Sequence, residues 1–205
     1  MVLLVFALSS LPTPTRVERP PGEHAMARSD PRPEPRAATP TDTTAATAPV
    51  PAATVPPGVH EVGPTGLPPA VYVAAGDLCT WERRDEAGEV LATDTGSGQT
   101  LVELRPTDAT FISAEGCGWW SALAPDTPQL DEVGPGTFAV GRQLAPGRWR
   151  SDGPDLCYWE RLSGLTGTLG EVLASGTAPG PAEVEVLPTD VGFGSLGCGT
   201  WRPVG

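Results

Sequence analysis

The chain contains no lysine: all 13 of its basic side chains are arginine, and only two histidines, His24 and His60, accompany them. Uniform arginine usage of this kind reads as a habit of genome composition, not as a ligand signal. Serines recur at Ser113 and Ser195, but residues 136–205 hold neither histidine nor lysine, so the second copy lacks an activating base. Long apolar runs are also missing. The longest near the start, Val2 to Leu8, is too short to span a bilayer and has the length of a signal-peptide core. A basic segment before it and an A-x-A cleavage site or lipid-accepting cysteine after it are both lacking. Residues 1–12 are accordingly read as the tail of a longer export signal or as an anchor, which would be the protein's sole contact with a membrane. Short CxxC knuckles are absent too, so the four cysteines have no zinc-finger spacing, and no metal or cofactor is expected.

What the chain has in excess is turn formers and acid. Twenty-five prolines and 25 glycines disfavour long helices. The formal net charge of −12 falls entirely on residues 58–205, because acids and arginines cancel in residues 13–57. An acidic folded region repels phosphate backbones, which argues against nucleic acid as a partner and against anionic membrane surfaces. Residues 13–57 are rich in Pro, Ala and Thr without apolar periodicity, as in PRPEPRAATPTDTTAATAPV. They are expected to form a disordered linker.

The remainder repeats. Gly58, Val62, Gly63 and Pro68 align with Gly136, Val140, Gly141 and Pro146; Asp77-Leu78-Cys79 with Asp155-Leu156-Cys157; and Trp81-Glu82-Arg83 with Trp159-Glu160-Arg161. After a short insertion near Gly164, Pro106-Thr107-Asp108 aligns with Pro188-Thr189-Asp190, and Gly116-Cys117-Gly118 and Trp120 with Gly197-Cys198-Gly199 and Trp201. Two modules follow, at 58–123 and 136–205, with an inter-module linker at 124–135. Alternation such as Glu183-Val184-Glu185-Val186 marks half-buried strands. The fold class expected is all-β: two tandem small antiparallel sandwich or barrel modules of six or seven strands, each with one disulfide. Of the three connectivities open to four cysteines, the repeat selects Cys79–Cys117 and Cys157–Cys198, since each module then carries its own bond. Cystines imply an oxidising compartment.

The string Gly-x-Phe-x-Val-Gly, then Pro-Gly-x-Trp, Cys-Tyr-Trp-Glu-Arg, Pro-Thr-Asp and Gly-Cys-Gly-x-Trp in the second module resembles a repeat of exported proteins and lipoproteins of actinobacteria and other high-GC bacteria. The resemblance implies a secreted or envelope setting and nothing about catalysis. In the first module Pro68-Pro69-Ala70-Val71 stands where the second has Pro146-Gly147-Arg148-Trp149, and His60 stands for Phe138.

Candidate ligand-binding residues are Trp149, Trp159, Arg161 and Trp201, in which tryptophan would stack on a sugar ring and Arg161 would hydrogen-bond it. The simpler reading packs Trp159 and Trp201 against the disulfide, with arginine laid over the indole. Asp108 and Asp190, beside Pro-Thr, are expected to fix turns by accepting backbone N–H groups. The functional expectation is a non-enzymatic binding or structural protein of the cell exterior, its partners cell-wall glycan or an envelope protein, engaged bivalently. The alternatives are a small hydrolase using Glu82 with Asp108 or Glu160 with Asp190, and an envelope spacer or sensor.

Overall fold

Short runs of alternating apolar and polar residues, punctuated by Gly and Pro, form strands throughout the region described by the computed structural model, residues 54–205 except Pro154. The apolar start and the linker through residue 53 lie outside the described residues. In the first half the strands are β1 (Thr54–Val55), β2 (Gly58–Glu61), β3 (Val71–Arg84), β4 (Val90–Glu103), β5 (Thr110–Ser113) and β6 (Trp120–Ala122). In the second they are β7 (Gly136–Ala139), β8 (Gly147–Ser151), β9 (Cys157–Leu162), β10 (Val172–Ala178), β11 (Glu183–Val186), β12 (Gly192–Leu196) and β13 (Trp201–Pro203). Helix is confined, among the described residues, to single 3-10 turns at Glu115–Cys117 and Leu169–Glu171.

The strands make a larger sheet, ordered β1-β6-β3-β4-β7-β12-β9-β10 with β2 and β5 branching from β3, and a smaller sheet ordered β11-β8-β13. The result is sandwich-like. Neither sheet closes into a barrel, since both keep free end strands.

Both halves pair alike. Gly58 faces Ser113 and His60 faces Phe111; Gly136 faces Ser195 and Phe138 faces Phe193. Strands β3 and β4 are long and bent. Between Gly76 and Cys79 the register slips, and one extra residue in a strand reverses which side chains point inward. Tyr72 and Ala74 are therefore buried before the bulge, and Cys79, Trp81 and Arg83 after it. Glycine is required at position 76, where a Cβ would lie 1.7 Å from the Gly116 carbonyl oxygen. In the second half the same bend is a break, so β8 and β9 are separate strands, as are β10 and β11.

Each half has its own core. Tyr72, Trp81, Phe111 and Trp120 centre the first, and Phe138, Trp149, Phe193 and Trp201 the second. Trp120 meets Phe111 edge-on at 5.0 Å and Trp201 meets Phe193 edge-on at 5.1 Å, the arrangement that aromatic quadrupoles favour. Cys79–Cys117 and Cys157–Cys198 close the two halves, each bond in the same core as Trp81 and Trp120 or Trp149 and Trp201.

Two boundaries and one correspondence between the repeats differ from the sequence reading. The linker expected to run to Pro57 stops sooner, because Thr54 and Val55 pair with Ser121 and Trp120; two residues of strand need only an edge with unpaired backbone groups, which composition does not reveal. Residues 124–135 are not free spacer: Val133 is buried in the second core and pairs with Trp201. Trp149 corresponds to Tyr72, not Val71. Tyr72 pairs with Ala122 as Trp149 pairs with Pro203, and their polar tips donate to the carbonyls four residues back, Pro68 at 2.9 Å and Ala145 at 2.9 Å.

A third apolar cluster, Leu101, Leu123, Ala139 and Leu165, lies between the halves. The insertion near Gly164 supplies Leu165. Its loop is held by the Glu171 carboxylate, which accepts from the Thr166 amide at 2.9 Å, the Thr166 hydroxyl at 2.7 Å and the Gly167 amide at 3.1 Å. The loop reaches the first half at four points, one of them the ion pair of Glu171 with Arg105 at 3.8 Å. The Glu103 amide donates to the Leu165 carbonyl at 2.7 Å, Arg83 donates to the Thr166 carbonyl at 3.1 Å, and Gly167 sits on the Trp81 ring.

Candidate functional site

Beside this junction the halves leave a cleft. Its polar end, about 250 Å³, is bordered by Asp94, Thr95, Ser97, Tyr158 and Glu160 among others. A smaller, more apolar end of about 140 Å³ adds Trp81, Leu101, Leu162, Leu169 and Val172. Asp94, Thr137 and Glu160 border both, which makes the two ends one continuous groove.

Local structure explains which side chains arrive there. Along β9 alternate residues face opposite ways, so Cys157, Trp159 and Arg161 turn toward the second core while Tyr158, Glu160 and Leu162 turn toward the groove. On β4 the lining runs through consecutive residues, Thr93 to Ser97. Consecutive lining is the mark of a strand edge, not a face. β4 pairs with β3 along one side, and along the other only Gln99 meets a strand, at Gly136 of β7.

Three carboxylates, Asp94, Glu160 and, at the apolar end, Glu171, border the groove, and no arginine or histidine does so among the described residues. Tyr158 donates its hydroxyl to Glu160 at 2.8 Å. Burial, then that hydrogen bond and the negative charges of Glu160 and Asp94, raise the tyrosine's pKa above its ordinary value, so it remains a donor. Where the groove ends, Gln99 and Gln143 exchange side-chain amide hydrogen bonds at 3.1 and 3.0 Å, and Gln99 also donates to the Thr137 carbonyl at 2.8 Å.

The candidate residues read from sequence do not gather at one site. Trp149 and Trp201 are 1% and 0% exposed. Neither can stack on a ligand, which corrects their assignment as binding residues. Trp159 is half-buried, its ring over Gly176. The tryptophan that does face solvent is Trp119, 64% exposed; it follows the Gly-Cys-Gly turn of the first half only and was not singled out by the repeat. Arg161 is committed to Asp190 by two hydrogen bonds of 2.6 and 2.9 Å. That pairing raises the arginine's pKa; burial alone would raise the Asp190 carboxyl, but the bonds from Arg161 and the Leu187 amide outweigh it and hold the group below its ordinary value.

Asp190 also accepts from the Leu187 amide at 2.8 Å, and Asp108 from the Arg105 amide at 2.9 Å, each bracing a turn. Arg83 is buried against Asp108, its Nη2 3.2 Å from Oδ1. The hydrolase pairing of Glu160 with Asp190 is overturned by this geometry: Glu160 faces the groove, whereas the Asp190 side chain is fully buried against Arg161. Asp108 is likewise fully buried, leaving nothing for Glu82 to work with. Ser113 is occupied in accepting the Trp120 indole N–H at 3.0 Å.

Fold and disulfides define an all-β, cystine-closed class of domain. A family model described as the Rv1352-like extracellular domain matches residues 131–202, which takes in Val133 and the second half. No curated protein and no solved structure matches the chain. An extracellular family together with two cystines places the protein outside the cytoplasm.

Proposed function

We propose that the protein is a non-enzymatic binding protein of the cell exterior and that its ligand occupies the groove between the halves. The observation that carries this reading is a continuous cleft at an internal junction, bordered by hydroxyls and three carboxylates, with no cationic side chain among the described residues that line it. Ligand sites form preferentially at such junctions, where two rigid bodies supply convergent polar groups.

The two halves are read here as copies of one module whose joining creates a site that neither holds alone. One ligand per chain follows, in place of the bivalent engagement expected from two equivalent modules. Titration of the chain with solubilised cell-wall fragments and with envelope-protein peptides, followed by NMR of the Thr95 and Tyr158 amides, tests the site. Saturable shifts at these residues with one-to-one stoichiometry are expected. Shifts confined to the far ends of the modules, or turnover abolished by Glu160→Gln, would refute it.

A further inference from the structure

We infer that the groove accepts an extended, basic peptide segment that adds as a strand to the open edge of β4; this rests on the groove being the ligand site. Three observations converge on that occupant. The first is the edge itself. Thr93 to Ser97 line the groove consecutively, and among the described residues no strand pairs with them on that side. β7 takes up the edge only at Gln99, and the Pro135 carbonyl closes over Gly98, where a Cβ would lie 2.1 Å from it. Along this five-residue edge the Thr95 amide is taken by the Asp94 carboxylate at 2.7 Å, a bond an incoming strand would replace, and the other outward backbone groups face the cleft without a strand partner. An extended peptide satisfies such an edge through main-chain hydrogen bonds, while pockets for alternate side chains set specificity.

The second observation is charge. A strand laid along β4 passes between Asp94 on one wall and Glu160 on the other, and among the described residues no arginine or histidine borders the groove. A lysine or arginine side chain supplies the missing counter-charge, and an acidic one is repelled. The third is the change of character along the groove. Leu162, Leu169 and Val172 border the end beyond Asp94 and Glu160, where the one further carboxylate among the lining residues, Glu171, is bound to Thr166 and Gly167, and Leu169 is 92% exposed. A peptide with an apolar residue beside its basic one finds a matching surface there, whereas a polyol offers nothing to these leucines.

Isotope-labelled full-length protein titrated with the capped peptide Ac-Val-Arg-Val-Thr-NH2 tests the inference. Expected are shifts of the Thr93–Ser97 and Tyr158 amides, slowed hydrogen exchange along that edge, and affinity weaker by about tenfold or more when the peptide carries Glu in place of Arg or N-methyl groups on alternate amides. Asp94→Asn and Glu160→Gln should each weaken the Arg peptide severalfold and leave the Glu peptide no weaker. Equal binding of the Arg, Glu and N-methylated peptides would overturn the inference. So would chitotriose shifting the same amides where the Arg peptide does not, although the groove would then stand as the site. Silence of the groove amides toward all these probes would remove both.

Discussion

Asp108 and Asp190 occupy equivalent turns, and each sits opposite an arginine from the central strand of its half. The turn role was legible in Pro-Thr-Asp, because a short carboxylate beside proline bonds local backbone amides. The arginine partners were not, since Arg83 and Arg161 reach these carboxylates only through strand pairing across 25 and 29 residues. Asp190→Asn removes the charge from a carboxylate that holds a mostly buried guanidinium, and it should cost about 2 to 3 kcal/mol in urea unfolding. The pH dependence has a definite sign. A carboxyl whose folded pKa lies below its unfolded value, 3.8, contributes stability that is complete above that value and disappears as pH falls through the lower, folded pKa. Stability of the native chain should therefore decline below about pH 4 more steeply than that of Asp190→Asn, which unfolding midpoints measured across that range will show. Trp149 and Trp201 carry a different lesson. Core packing was the simpler reading for Trp201, but regular placement beside glycine and cysteine left a ligand platform open for both, and burial is a property of the assembled sandwich.

The strands themselves were readable from alternation, most clearly in β11, where Val184 and Val186 are buried and the glutamates between them exposed. The bulge that reverses β3 was not, because the backbone packed against it at Gly76, that of Gly116, comes from another part of the chain. Least legible was the segment 163–171. In the sequence it is an interruption of a repeat, and in the structure it fastens the second half to the first. Gly167→Val tests that role, for a Cβ there would lie 2.3 Å from the Trp81 ring at a φ of +77°. It is expected to destabilise by about 1 to 3 kcal/mol and to move the Trp81 indole resonance. Gly170→Ala, in the same loop with nothing within 4 Å, should change stability by no more than about 0.5 kcal/mol. Equal effects of the two substitutions would mean that the loop does not grip the first half.

At the scale of the whole molecule the paired cysteines were the most informative sequence feature, since only intra-module bonds give each half its own staple. Loops of 38 and 41 residues are closed, and replacing either pair by alanine should cost about 4 kcal/mol in the chain-entropy model, seen as a lowered unfolding midpoint. The junction between the halves was hidden from the sequence because Gln99 and Gln143 align with unlike residues, Pro181 and Thr65, and Leu165 falls in the insertion. Yet the groove exists only if that junction is rigid. Scanning calorimetry of the oxidised full-length chain measures this directly: two halves joined by the Leu101–Leu165 cluster and the glutamine pair should unfold in one cooperative transition, with van't Hoff and calorimetric enthalpies equal. Two separate transitions, each keeping its own midpoint when the other half is destabilised, would contradict the picture of one body built around a shared site.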